Sequence, residues 1–251
     1  MRHNRLTKIL LLGMLFSFYL VTDAFSLTAE AAKKNNGINT HTVDYIDKDG
    51  ELIISLPEQE HILYFSDDLA LMQKDGKQVY IDRAGKTVLE PTKYYSDSGP
   101  FADGLATVRL GLSWGYINKA GEVVIRPVFR ATGLFHEGFA AVKVADKQWC
   151  FIEHEGRLVL PANYQEARPF SEGLAAVQMN GRWGYIDKHG MQVIACRYSA
   201  VHSFADGRAA VCLYGRWGFI DKKGKMVVPA KYLEVADFYK GFAGVIGEEQ
   251  E

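Results

Sequence analysis

The side chains that could do chemistry in this 251-residue chain recur instead of converging. Trp114, Trp149, Trp183 and Trp217 fall once per copy of a repeated pattern, and rings exposed at such intervals could stack on sugars. A carboxylate recurs in the same way, in turns of the form F-x-[DE]-G such as Phe170-Ser171-Glu172-Gly173. A catalytic acid pair would appear once, whereas an acid that returns in every copy suits a structural turn. His41, His61, His136, His154, His189 and His202 are scattered, without a pair at metal-ligand spacing and without H-E-x-x-H. His154 and His189 fall inside polar turns and read as solvated turn residues. No G-x-S-x-G elbow and no G-x-x-x-x-G-K-[ST] phosphate loop occurs. The run from Asp47 to Glu51 matches the start of a calcium loop, but its later oxygen ligands are missing and five sibling turns explain it as a hairpin. The expectation is no catalytic, cofactor or metal site, with the four tryptophans as binding residues if their rings are exposed.

Those rings have two possible uses. Trp114, Trp183 and Trp217 precede glycine, and Trp149 precedes Cys150. Along a strand of period two, Trp183 and Tyr185 face one side while Gly184 and Ile186 face the other. Gly in three copies and Cys in another points to a small position under close approach, without an obligatory positive φ. Burying one tryptophan stabilises by about 4–6 kcal/mol as an upper estimate. A ring that returns once per unit is what a stacked core requires, so core packing is the favoured reading and a glycan platform the competing one.

The elements that carry these residues form six copies. Polar turns end in Gly50, Gly85, Gly121, Gly156, Gly190 and Gly224, which stand 34 to 36 residues apart. Phe65, Phe101, Phe135, Phe170, Phe204 and Phe238 keep step, although the first mark lacks the turn glycine and the last lacks the acid. Each unit reads as three short strands, exemplified by Leu174–Met179, Trp183–Asp187 and Met191–Ala195. In Asp-x-x-Gly the acid can accept from the backbone two residues on, while glycine enters the left-handed region that closes a type I turn with a bulge. Pro127, Pro161 and Pro229 mark the exit of the third strand, where a missing N–H costs a sheet least. The second unit carries extra residues around Tyr94 and Tyr95. Val43-Asp44 and Gln78-Val79 stand where later units have Trp-Gly, so the first two units are degenerate, as terminal repeats commonly are.

Composition bounds the partners. The chain is 48% hydrophobic and 24% charged, with a net charge of −1. Basic and acidic residues interleave along its length, which gives no electrostatic case for nucleic acid or an anionic membrane. Residues 1–31 read as a secretory signal: basic Arg2, Arg5 and Lys8, an apolar run from Ile9 to Val21, and Ala29-Glu30-Ala31 as cleavage site. That run falls short of the ~20 residues a membrane-crossing helix needs. Cys150, Cys196 and Cys212 share no metal-like spacing, permit one bridge at most, and read as small apolar fillers.

With K/R-W-G-[YF]-I-D-K-x-G, then V-V/I-x-P/A-x-Y and F-x-[DE]-G-x-A-A-V, the chain resembles the WG-repeat family of bacterial β-repeat proteins. The match is strong from Trp114 to Val245 and weak from Val43 to Lys77. It is similar, more remotely, to the shorter aromatic-glycine hairpin repeats of choline-binding and cell-wall-binding proteins. The resemblance specifies repeat identity and ties the chain to no single reaction.

The expected architecture is an all-β tandem array of about six three-stranded β-meander units, open and curved like a solenoid. The alternative is a closed six-bladed propeller-like ring, because the last strand could complete the first unit. The expected organisation is a signal peptide over residues 1–31, a flexible lead-in over 32–40, the array over 41–247 and an acidic tail over 248–251. The expected function is a non-enzymatic extracytoplasmic scaffold, periplasmic or secreted, that binds a protein or cell-envelope component. A carbohydrate or cell-wall polymer module using exposed aromatics is the alternative. Neither nucleic acid nor an integral membrane span in the mature chain is expected.

Overall fold

The computed structural model describes residues 42–46, 50–57, 60–91 and 94–247. The segments expected to be signal peptide, lead-in and acidic tail, together with His41 and the first polar turn before Gly50, lie outside the described residues. Strands and turns make up the described residues, among which there is no α-helix and so no helix long and apolar enough to cross a membrane. Two compact units divide after Glu58. The first is a hairpin in which Thr42–Ile46 pairs antiparallel with Leu52–Pro57 and Ser55 Oγ donates to Asp44 Oδ1 at 2.6 Å.

In the second unit, four-stranded antiparallel sheets follow one another over residues 61–89, 97–129, 131–164, 166–198 and 200–232. A last hairpin, Glu234–Val235 with Val245–Ile246, ends the array. One repeat shows why the sequence folds this way. Its strands are Glu166–Ser171, Leu174–Met179, Arg182–Asp187 and Gln192–Tyr198, paired in that order. The first turn places Glu172 and Gly173 at φ 53° and 85°, the double left-handed geometry whose twist suits a two-residue hairpin. The second does the same with Asn180 and Gly181, at 51° and 73°. In the third, Asp187 Oδ1 accepts from the N–H groups of His189 and Met191, both at 2.9 Å, and Gly190 has φ 78°. Asp82, Asn118 and Asp221 cap their turns identically, as the Asp-x-x-Gly pattern predicts.

The structure adds a fourth strand to the three expected. The extra one is the segment that leads to each Phe, and it hides in sequence because it is short or interrupted. Gly99-Pro100, Gly133 and Pro169 break its alternation, and in the units starting at Ala131 and Ala200 only two residues pair regularly.

Trp-Gly owes its small residue to the strand that follows. Tyr185 pairs with Ile194 but Trp183 pairs with Tyr198, so two residues on one strand oppose four on the next and the excess bulges. The bulge lies flat on Gly184. A Cβ there would come within 2.4 Å of the Ile194 carbonyl oxygen and 2.7 Å of the Cys196 nitrogen, and Gly115 and Gly218 meet the equivalent atoms at 2.4 and 2.5 Å. None of the three has a positive φ, so close approach is the whole reason for glycine.

The core lies between sheets. Tyr185 packs forward with Val201, Phe204, Val211 and Ile220, while Ile186, on the opposite face, packs back onto Phe151, Leu160 and Phe170. Each internal sheet is therefore buried on both faces and cannot stand alone. Phe101, Phe135, Phe170 and Phe204 are at most 2% exposed, but Phe65 reaches 36% and Phe242, on the last hairpin, 81%. Phe65 and Phe242 belong to the first sheet and the last hairpin of residues 60–247, and their exposure fits atypical terminal units. Cys150, Cys196 and Cys212 are free thiols, and burial pushes that of Cys150 up to about 11.

Gly184→Ala should destabilise the protein by about 1–3 kcal/mol, because the new methyl meets the backbone of the bulge at Ile194 and Cys196. Urea unfolding of the two proteins checks this; an unchanged midpoint would contradict the close-approach account.

Candidate functional site

The recurring chemistry-bearing residues assemble into joints between successive sheets. Gly104, Gly138, Gly173, Gly207 and Gly241 donate their N–H groups to the carboxylates of Asp67, Asp103, Glu137, Glu172 and Asp206, each in the preceding unit. Distances run from 2.7 Å at Gly104 to 3.3 Å for the longer contact of Gly173. The acceptor side chains project from residues at positive φ, held in the first turn of each unit. The same turn takes a second bond from the next unit. Lys119 Nζ donates to the Asp67 carbonyl, Lys188 pairs with Glu137 at 3.1 Å, and Lys222 with Glu172 at 3.1 Å.

His154 occupies the lysine position in its unit. Its Nε2 lies 2.8 Å from the Asp103 carbonyl oxygen, and its ring stacks on Phe135 at 4.5 Å between centroids. The reading of His154 as a solvated turn residue is thus corrected: a flat ring that fits against Phe135 replaces the flexible cation. His189 is part of the turn itself, donating its N–H to Asp187.

Tyrosine hydroxyls form a parallel set of joints. Tyr80, Tyr116 and Tyr185 donate to the carbonyls of Gly99, Gly133 and His202 at 2.6, 2.8 and 2.7 Å. Burial raises the pKa of Tyr80 and Tyr185 well above the ordinary phenol value, so both remain donors.

All four tryptophans are half-buried. Trp149 and Trp183 lean on the cores between sheets. Arg109 lies 5.8 Å from the Trp114 centroid, Arg168 lies 5.4 Å from that of Trp183, and the His202 ring is 4.9 Å from that of Trp217. The rings are therefore packing elements with cationic or imidazole neighbours and a partly open remainder.

One cluster breaks the repeat. Two residues before the marker Phe, the copies carry Leu63, Gly99, Gly133, Arg168, His202 and Ala236. Gly at this position shows that the fold needs no side chain there. Yet Arg168 and His202 come from adjacent units, and Asp237 from the next accepts or shares a proton with His202 Nδ1 at 2.7 Å. Burial lowers the Arg168 pKa, opposed by Tyr185 and Asp237. The six tandem copies hide this cluster until they are aligned on Phe and read column by column. Among the described residues no group of three His, Cys, Asp or Glu is placed to hold a metal ion.

Sheets stacked in sequence order and joined turn to turn define a tandem β-repeat protein. The chain belongs to the WG containing repeat family, whose model matches residues 45–77, 80–111, 114–147, 149–183, 183–217 and 217–246. Among solved structures, a crystal structure of the eukaryotic initiation factor is similar over 83% of this chain and 67% of that one, with TM-score 0.52 and 13% identity. BamB from Moraxella catarrhalis is similar over 82% and 74%, with TM-score 0.47 and 10% identity. The first of these shares the fold alone, and the second is too distant to support further argument. Comparison with curated proteins gave no match.

His136 opens the turn before Glu137, and burial lowers its pKa below the ordinary 6.5 against the raising influence of Asp103 and Glu137. The folded state favours neutral imidazole, so the unfolded chain takes up the proton first as pH falls below 6.5. Stability that is whole above 6.5 should decline as pH drops through the depressed value. Urea titrations across this window should show a shallower decline for His136→Asn; identical slopes would contradict the assignment.

Proposed function

We propose that the protein is a non-enzymatic, extracytoplasmic repeat scaffold that binds a protein or cell-envelope component. The observation that carries this reading is where the recurring titratable groups go. Asp103, Glu137, Glu172 and Asp206 accept backbone N–H groups of the following unit, which commits them to holding sheets together. Lys188 and Lys222 are engaged by the same acids. What remains for recognition is the surface formed by turns and by positions where copies differ. The leader pattern of residues 1–31 supports placement outside the cytoplasm.

The carbohydrate reading retains one specific support, since half-buried tryptophans with adjacent cations offer partial apolar surface beside charge. An affinity capture from envelope extracts with the purified protein tests the scaffold reading, alongside fractionation of expressing cells. The expected result is a specific envelope component retained by protein found in the extracytoplasmic fraction. Turnover of any substrate class, or a purely cytoplasmic protein, would overturn it.

A further inference from the structure

The hairpins separate the middle turns from the first and third turns, where the recurring acids meet Lys119, Lys188 and Lys222. Each unit's first and third turns lie at one end of its sheet, and its middle turn lies at the other. The bonds from Gly104, Gly138, Gly173, Gly207 and Gly241 tie first turns to first turns, so the units share one orientation. The acids of the first turns therefore line one rim of residues 60–247, and the middle turns line the opposite rim.

The middle-turn rim is built of cations and tryptophans. Arg109 stands directly across its hairpin from Trp114, and Lys143 directly across from Trp149. Arg182 and Arg216 immediately precede Trp183 and Trp217, and the first sheet, which lacks tryptophan, carries Lys74 and Lys77 on its middle turn. Exposed apolar groups join them, with Leu112 84% exposed and Tyr214 fully so. Acids at this rim include Asp75, Asp97, Asp146 and Glu166; Asp97 stands across from Arg109, and Asp146 is taken up by Arg130 at 3.2 Å. A cation thus accompanies every tryptophan within its own hairpin, while the chain as a whole carries only −1.

We propose that this rim binds an anionic polysaccharide, its acidic groups meeting Arg109, Lys143, Arg182 and Arg216 and its sugar rings meeting the open parts of the tryptophans. The inference rests on the reading of the protein as an extracytoplasmic binding scaffold and names the chemistry of its ligand. Charge complementarity sets the sign of the ligand. Repetition sets its kind: four successive units each bring a cation to a tryptophan, across the hairpin for Arg109 and Lys143 and one residue along the strand for Arg182 and Arg216, and such a series matches a polymer of repeated acidic sugars. A folded protein partner would present a different surface to each step. Arg109 over Trp114 holds the guanidinium already oriented beside an apolar ring, which reduces the ordering needed when a carboxylate arrives.

Binding of the purified protein to polygalacturonate, neutral dextran, poly-L-glutamate and a single-stranded DNA oligonucleotide tests the proposal, with tryptophan fluorescence as one readout. Polygalacturonate should bind in preference to the other three and weaken as sodium chloride rises. The combined variant Arg109→Gln, Lys143→Gln, Arg182→Gln and Arg216→Gln should lose about tenfold or more in affinity with unchanged circular dichroism. The salt dependence of the unaltered protein decides the matter should that variant fail to fold. Equal binding of dextran, or polygalacturonate binding that ignores salt, would overturn the proposal. Tighter binding of poly-L-glutamate or DNA would assign the rim to another polyanion, and no polyanion binding would remove it altogether. A specific partner still captured from envelope extracts in those cases would leave the scaffold reading standing, so the two can fail separately.

Discussion

The joint on which the array depends is a carboxylate reaching from one sheet to a backbone N–H of the next. Each internal sheet buries both faces, so hydrophobic burial alone would let neighbours slide or rotate, because it is non-directional. The bond from Gly207 to Glu172 is directional, at 3.0–3.2 Å, and fixes one turn against the following turn. It contributes about 1.5–3 kcal/mol, as hydrogen bonds to charged groups do. Its geometry needs a left-handed residue with a side-chain acid, followed by a glycine whose N–H is directed outward. Glu172 at φ 53° and Gly207 at φ 71° meet that requirement, and the requirement explains why the acid and the glycine recur as a pair. The tyrosine joints add a second constraint on the opposite side of the marker Phe, with Tyr185 bound to the His202 carbonyl.

Much of the fold was legible because it is local. The Asp-x-x-Gly turns, the three longer strands and the two-sided placement of Tyr185 and Ile186 follow from turn chemistry and a period of two, and the structure shows each of them. The close approach at Gly184 could be inferred because the other units with tryptophan carry Gly115, Cys150 and Gly218 there. What escaped was nonlocal or irregular. The first strand is broken by Gly99-Pro100 in one unit and by Pro169 in another, and it pairs over two residues in the units starting at Ala131 and Ala200, so it leaves little alternation to read. The partner of Glu172 is 35 residues away, and nothing near it in sequence reveals a bond. His154 looked like any polar turn residue because its stacking partner, Phe135, belongs to an earlier part of the chain. The gathering of middle turns at one rim was invisible for the same reason, since successive turns alternate between ends.

Repetition also separates structure from function. Residues common to the copies hold sheets together, and the acids among them have little left to offer a ligand. Residues that break the pattern have no such duty. Arg168 and His202 occupy a position where Gly99 and Gly133 suffice, with Asp237 beside His202, and they cost the fold a partly desolvated guanidinium. The tryptophans fall between these classes. Trp149 and Trp183 lean on the core, yet all four are half-buried and stand near a rim where arginine or lysine accompanies them. Membership of the WG containing repeat family describes the first class of residue and leaves the second to this chain.

The central claim, that recurring acids exist to join units, is most directly tested by amide hydrogen exchange at Gly207 in the unaltered protein and in Glu172→Ala. Loss of the acceptor should speed exchange at Gly207 while leaving Gly173, which bonds to Glu137, at its original rate. Equal exchange at Gly207 in both proteins would contradict the claim.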